Sequence, residues 1–152
     1  MFRSAMIDIV TALAIHDNGI YRVGTDITPG AAQVVLNVAS LNYVIQPRQM
    51  AIITQESYIV ETDTDDCQFE LGYVDAGGVF HSRCMHCHIY TPAALLGRTS
   101  FDSDFCPPIV LRYSAGCRRI TFRVDANDAA CVISAGYRGV WISEASFINL
   151  RI

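Results

Sequence analysis

Apolar and polar residues alternate with a period of two along much of the chain. The alternation is clearest at residues 67–73, 120–125 and 131–138. Successive side chains of a β-strand point to opposite faces, so this period is typical of strands with one buried face. Further strand-like runs, rich in apolar and β-branched residues, occupy six segments: residues 20–23, 33–38, 43–46, 51–61, 79–90 and 109–113.

Turn residues separate these runs. Ser114-Ala115-Gly116 predicts a hairpin between residues 109–113 and 120–124, and Asn127-Asp128 predicts a second hairpin that leads into residues 131–137. The longest irregular stretch, residues 91–108, ends in two consecutive prolines. We expect it to form a long loop that crosses between sheets or reaches out to a partner.

The N-terminal region is compatible with two structures. Asn18-Gly19 is a strong hairpin signal between residues 7–15 and 20–23. A helix over residues 6–14 is the rival structure. Four apolar residues in it follow helical spacing: Met6, Ile9, Val10 and Leu13.

The number of strand-like runs decides the fold class. About nine or ten short strands at intervals of roughly 8–12 residues are typical of an all-β sandwich or barrel. We therefore predict an antiparallel two-sheet sandwich with jelly-roll connectivity. Residues 1–152 form a single domain in this prediction, with residues 1–30 as an N-terminal arm or hairpin.

The composition and the net charge limit the kinds of partner that we expect for the protein. Hydrophobic residues make up 51% of the chain and charged residues 17%, against roughly 25% charged in average soluble domains. Either part of the surface is covered by a partner or by other copies, or a well-filled sandwich carries uncharged polar residues outside.

The net charge of −4 argues against nucleic acid as a partner. Polar residues interrupt every long apolar stretch, and Asp8 interrupts any secretory signal, so we expect no membrane span and no export.

The sharpest chemical motif is Cys84-Met85-His86-Cys87-His88. It matches C-x-x-C-H, the attachment motif of c-type haem, in which Cys84 and Cys87 would form thioether links and His88 would be an axial iron ligand. The motif lies in a strand-like run, whereas haem attachment commonly opens a helix, and no export signal is visible. A haem-binding electron-transfer or filament subunit is therefore the alternative function.

Zinc and a purely structural role compete with haem for the same motif. Cys84 and Cys87 have zinc-ligand spacing, and His81, His86 or His88 could add nitrogen. A structural zinc site needs four ligands, and Cys106 and Cys117 are the only cysteines that could supply the other half. In a strand, however, Cys84 and Cys87 point to opposite faces. We favour this structural interpretation, with Met85, Cys87 and Ile89 on the core face and Cys84, His86 and His88 outside.

The sequence gives weaker support for calcium binding, sugar binding or catalysis. The acidic run Glu61, Asp63, Asp65 and Asp66 lacks a complete calcium loop, as do Asp102 and Asp104, so solvated turns are the better interpretation. Three aromatic residues near the C-terminus could stack on a sugar, although they more often fill a core: Tyr113, Tyr137 and Trp141. The sequence carries no nucleophile elbow, P-loop or dinucleotide fingerprint. We predict that the protein is not an enzyme and has no cofactor.

Residues 47–141 resemble the small β-sandwich structural proteins of tailed bacteriophages that decorate and stabilise the head. The resemblance rests on residues 69–75, 113–116, 120–128 and 133–139, which carry hairpin-like features rather than a diagnostic motif. It implies a capsid-associated decoration or stabilising subunit of the virion, assembled in the host cytoplasm. Its partners would be other copies of itself, in a homo-oligomer, and capsid proteins.

Overall fold

A computed structural model describes residues 18–29, 33–61, 67–88, 98–126 and 132–145. Nine strands account for most of these residues. They are β1 (Gly19–Ile27), β2 (Val34–Val35), β3 (Tyr43–Val44), β4 (Gln49–Glu61), β5 (Cys67–Asp75), β6 (Phe80–His88), β7 (Arg98–Arg112), β8 (Cys117–Ala126) and β9 (Val132–Ser143). No helix within the described ranges is long and apolar enough to cross a membrane.

The strands form two sheets that pack face to face. Sheet A has the order β1-β9-β4-β7, and sheet B has the order β2-β8-β5-β6, with β3 also paired to β8. Every pair of strands is antiparallel. The predicted antiparallel two-sheet sandwich is therefore confirmed.

The two predicted hairpins after β7 and β8 are wrong. Residues 113–116 do reverse the chain, since the Gly116 N–H donates to the Tyr113 carbonyl at 3.0 Å. However, β7 belongs to sheet A and β8 to sheet B, so this turn crosses between the sheets. The connection from β8 to β9 returns to sheet A, and residues 127–131 lie outside the described ranges. Turn chemistry fixes a reversal of the chain but not which sheet receives the next strand.

The predicted loop over residues 91–108 is also partly wrong. Residues 98–108 belong to β7, an edge strand of sheet A, whereas residues 91–97 lie outside the described ranges. The register against β4 shifts between Ile53 and Gln55, which face Ile109 and Asp104. Pro107 and Pro108 fall inside this irregularity, where a missing N–H breaks no ladder bond. The prolines therefore interrupt the pairing without ending the strand.

The main core lies between the sheets. Phe69 of β5 stacks on Tyr58 of β4, with 5.0 Å between the ring centroids. Tyr137 of β9 is buried, and its hydroxyl donates to the carbonyls of Leu41 at 2.7 Å and Ile120 at 3.2 Å. Burial raises the pKa of Tyr137 far above its usual value, so the hydroxyl stays a donor. These contacts connect sheet A to sheet B.

A second apolar cluster lies on the other face of sheet A. Met50 and Ile52 alternate along β4 with Ala51 and Ile53, which belong to the main core. Because alternate side chains point to opposite faces, Met50 and Ile52 face away from sheet B. Val140 and Ile142 of β9 complete this outer cluster. The predicted N-terminal helix and the first strand of the rival hairpin, residues 7–15, lie outside the described residues, whereas the second strand of that hairpin, residues 20–23, belongs to β1.

Candidate functional site

The C-x-x-C-H motif lies in β6, as the structural interpretation expected. The backbone of β6 pairs with β5, and Cys84, Cys87 and His88 face Leu71, Gln68 and Cys67. The side chains of residues 85–88 lie outside the described set, so the structure does not test the haem site. Cys84 packs against the main core, which corrects its predicted position on the outer face. The register shift opposite Leu71 and Gly72 changes the alternation of β6 just before Cys84.

Cys84 meets a buried carboxylate from the opposite sheet. Its thiol donates to Glu56 Oε1 of β4, with 3.6 Å between Sγ and the oxygen. Glu56 is 0% exposed. It points inward because the irregularity between Ile53 and Gln55 shifts the alternation of β4 by one residue. This contact joins the two sheets at their centre, and sequence reasoning missed it because Glu56 looked like an ordinary polar strand position.

A histidine–aspartate pair closes the β5–β6 hairpin. His81 Nε2 lies 2.8 Å from Asp75 Oδ2, while Asp75 Oδ1 accepts from the N–H groups of Gly77 at 2.8 Å and Val79 at 3.0 Å. The hydrogen bond from His81, and then that from Val79, lower the pKa of Asp75. The His81 ring also stacks on Tyr73, 4.9 Å away. His81 is thus engaged in holding the hairpin.

The structure describes the side chain of one of the two cysteines predicted for the second half of a zinc site. Cys117 is buried at the start of β8, where burial raises the pKa of its thiol. A high thiol pKa works against metal binding, which requires the thiolate. The side chain of Cys106 lies outside the described set. Within the described ranges, no three His, Cys, Asp or Glu side chains form a group that could hold a metal ion.

Among the described side chains, the other residues predicted as ligands do not share one site. Tyr137 is 2% exposed, so it cannot stack on a sugar together with Tyr113 and Trp141, which pack partly buried against the same core. Asp104 is exposed on β7. For Glu61, Asp63, Asp65, Asp66 and Asp102, the side chains lie outside the described set.

A buried ion pair lies on the outer face of sheet B. Arg123 of β8 and Glu70 of β5 face each other in the ladder, and Arg123 Nε donates to Glu70 Oε2. Glu70 is only 3% exposed, and the Arg123 guanidinium that pairs with it lies over the Phe80 ring, 5.1 Å from the ring centroid. Gly72 leaves room for the adjacent strand β6, since a Cβ there would overlap the His81 carbonyl oxygen and would lie 2.7 Å from the Phe80 ring. This pair therefore organises the outer face of sheet B.

An exposed aromatic residue lies on β1, the outermost strand of sheet A among the described residues. Tyr21 of β1 is 66% exposed, and the Arg138 guanidinium lies over its ring, 5.9 Å from the centroid. Beside them, Gly136 lies in a shallow depression that Val23 and Ser57 also line. An exposed tyrosine held by an arginine next to a depression is suited to contact with another protein, where both residue types are enriched. Alternation along β1 could have indicated Tyr21, because Ile20 takes the core position.

Comparison with known proteins finds similarity only at the level of solved structures. No family model matches the chain, and no curated protein matches it. The structure of the infectious bursal disease virus Gx strain is 12% identical, with a TM-score of 0.42 over 86% of this chain. The VP2 subviral particle of that virus is 8% identical, with a TM-score of 0.42 over 87% of this chain.

A third similar structure is the SPBc2 prophage-derived protein YomS. It is 9% identical, and the match covers 79% of this chain and 94% of YomS, with a TM-score of 0.36. By contrast, the chain spans 34% of the length of either bursal disease virus protein. At such low identities and TM-scores, these similarities assign no function to the chain.

Proposed function

We propose that this protein is a viral structural subunit, a capsid-associated decoration or stabilising protein that self-associates and binds coat proteins. It would act in the virion after assembly in the host cytoplasm. The strand order is the observation that carries the proposal. We infer jelly-roll connectivity from it, because the chain passes repeatedly from one sheet to the other. Strands β1, β4, β7 and β9 lie in sheet A, and the strands between them in the sequence lie in sheet B. Jelly rolls with eight main strands are a recurrent architecture of viral capsid domains.

The exposed edge of sheet A is the surface on which we expect self-association. Within the described ranges, β1 pairs with β9 on one side only, and we expect its other edge to offer backbone groups for a further contact. Tyr21 and Arg138 stand on this edge and on the adjacent strand. Interfaces draw much of their binding energy from a few Tyr, Trp and Arg side chains. Self-association through this edge would also account for the low charge of the chain.

Light scattering with size exclusion of the purified full chain tests self-association, and Tyr21→Ala tests the surface. We expect a defined oligomer, and a roughly thirtyfold weaker association of Tyr21→Ala, as truncation of an interface anchor produces. Val79→Ser is the matched control, because Val79 is 56% exposed but lies in the β5–β6 hairpin of sheet B. Equal weakening by both variants would contradict the assigned surface.

Binding to coat proteins needs its own measurement. The full chain is mixed with shells assembled from the coat protein of the same virus, and the shells are sedimented. We expect saturable co-sedimentation at a fixed ratio of subunit to coat protein. A chain that remains in the supernatant at every concentration would contradict the decoration role, even if it self-associates.

A further inference from the structure

The backbone of β1 turns alternate residues toward β9 and toward its other edge. The Asn18 carbonyl accepts from the Trp141 N–H at 2.9 Å, so the backbone groups of Asn18 point to β9. The register between the two strands has no shift over residues 19–24. Hydrogen-bonded and non-hydrogen-bonded residues alternate in an antiparallel ladder. The residues whose N–H and C=O groups point away from β9 are therefore Gly19, Tyr21 and Val23.

A strand irregularity limits this edge on its C-terminal side. The register against β9 shifts between Gly24 and Ile27, and Asp26 has a left-handed φ of 52°. Irregularities of this kind interrupt the pairing of an edge strand. The regular part of the edge is therefore short, and Tyr21, which is 66% exposed, lies at its centre.

We propose that β1 of a second copy of this chain pairs antiparallel with β1, with the two-fold axis at Tyr21. Tyr21 then faces its own counterpart, and Gly19 faces the second copy's Val23. Every outward N–H and C=O group of residues 19–23 gains a partner in this register. A two-fold interface brings the same surface of both subunits together, as this pairing does. The inference rests on the proposed self-association and specifies its geometry.

Charge and hydrogen bonding favour this register over its neighbours. An axis at Arg22 would place two guanidinium groups directly opposite each other, and like charges in such positions are destabilising. An axis at Ile20 would leave the outward groups of Val23 without partners. With the axis at Tyr21, Arg22 faces the second copy's Ile20, and no like charges are opposed within residues 19–23.

The opposite edge of sheet A is a poorer partner for β1. Among the described strands, β7 lies at that edge. It contains Pro107 and Pro108, and Asp104 on it is exposed. Proline and charged side chains are features that keep edge strands from pairing. Pairing of β1 with β1 therefore suits this sheet better than pairing of β1 with β7, and it gives a closed dimer rather than an open chain.

Oxidative cross-linking of tyrosines in the purified full chain tests the register. The Cα atoms of two facing, hydrogen-bonded residues are about 5.5 Å apart, which allows the rings to couple. Trypsin leaves Tyr21 as the only tyrosine in the peptide of residues 4–22, and a link from Tyr21 to Tyr21 must join two copies. We expect mass spectrometry to find this peptide linked to itself.

Light scattering of the same sample separates the two ways in which the test can fail. An oligomer without the Tyr21–Tyr21 link would overturn this inference and leave self-association intact, whether residues 7–15 or another surface of a second copy occupies the edge. A chain that is monomeric at every concentration would contradict the proposed function as well.

Two substitutions at Val23 test the backbone contacts independently. Val23→Pro removes an outward N–H and no hydrogen bond to β9, whereas Val23→Ala retains that N–H. We expect Val23→Pro to associate at least about tenfold more weakly than Val23→Ala, because each copy loses a hydrogen bond to the other. Equal association of the two variants, with similar melting temperatures, would overturn the inference. The cross-link in the unaltered chain does not depend on the folding of either variant.

Discussion

The thiol of Cys84 on β6 donates to the carboxylate of Glu56 on β4, with 3.6 Å between Sγ and Oε1. The two residues belong to opposite sheets, so the contact crosses the interior of the sandwich. A carboxylate with no solvent exposure is costly unless its oxygens are hydrogen-bonded. The first cysteine of the C-x-x-C-H motif thus has a structural task that the sequence motif does not reveal.

Replacing Cys84 tests that task. We expect Cys84→Ala to lower the free energy of unfolding by about 1–2 kcal/mol, because Glu56 loses a donor and the core loses a packed sulfur. Cys84→Ser retains a donor of similar size and should lose less stability. Urea unfolding of the three proteins measures the difference. A serine variant less stable than the alanine variant would contradict the hydrogen-bonding role.

The ion pair on sheet B predicts a larger effect. Arg123→Ala leaves Glu70 buried without its cation, which we expect to lower the free energy of unfolding by about 2–4 kcal/mol. Arg119→Ala is the matched control on the same strand, because Arg119 makes an exposed hydrogen bond to Asn37 and should cost under about 1 kcal/mol. Replacing Arg123 and Glu70 together by leucine should recover most of the loss. Similar losses for the Arg123 and Arg119 variants would argue against the importance of the pair.

The Asp75–His81 contact predicts a pH dependence of the hairpin. The pKa of Asp75 is lowered below its ordinary value of 3.8, chiefly by His81. The stability from this carboxylate is therefore fully present above that value and is lost as the pH falls through the lower folded-state pKa. An NMR titration of Asp75 should give a midpoint below 3.8, and His81→Ala should shift it upward. An unchanged midpoint in the variant would exclude His81 as the cause.

The absorbance spectrum decides the alternative function. We expect protein purified from its native source to show only protein absorbance, because Cys84 is engaged with Glu56 inside the sandwich. A visible haem band that co-elutes with the protein would make Cys84, Cys87 and His88 a haem site. Its loss in Cys87→Ala would confirm the assignment.

The sequence predicted the strands better than it predicted their arrangement. The period of two located β5, β8 and β9 because alternation is a local consequence of a half-buried strand. The assignment of β8 to sheet B and of β7 and β9 to sheet A depends instead on contacts between distant residues. Local turn signals at residues 114–116 and 127–128 therefore predicted hairpins that the fold does not contain.

The positions of individual functional side chains depended on strand irregularities. A shift near Thr54 turns Glu56 toward the core, and a shift opposite Leu71 and Gly72 does the same for Cys84. Each irregularity reverses the alternation beyond it, and no residue type marks either one clearly in the sequence. Tyr21, by contrast, follows simple alternation after the buried Ile20.

Self-association of the sandwich is the part of the proposed function that a single measurement tests best. The most direct measurement is light scattering of the purified full chain across a range of concentrations, with Tyr21→Ala beside it. We expect a symmetric oligomer of defined mass, and weaker association of the variant. A chain that stays monomeric at every concentration, with and without Tyr21, would contradict it.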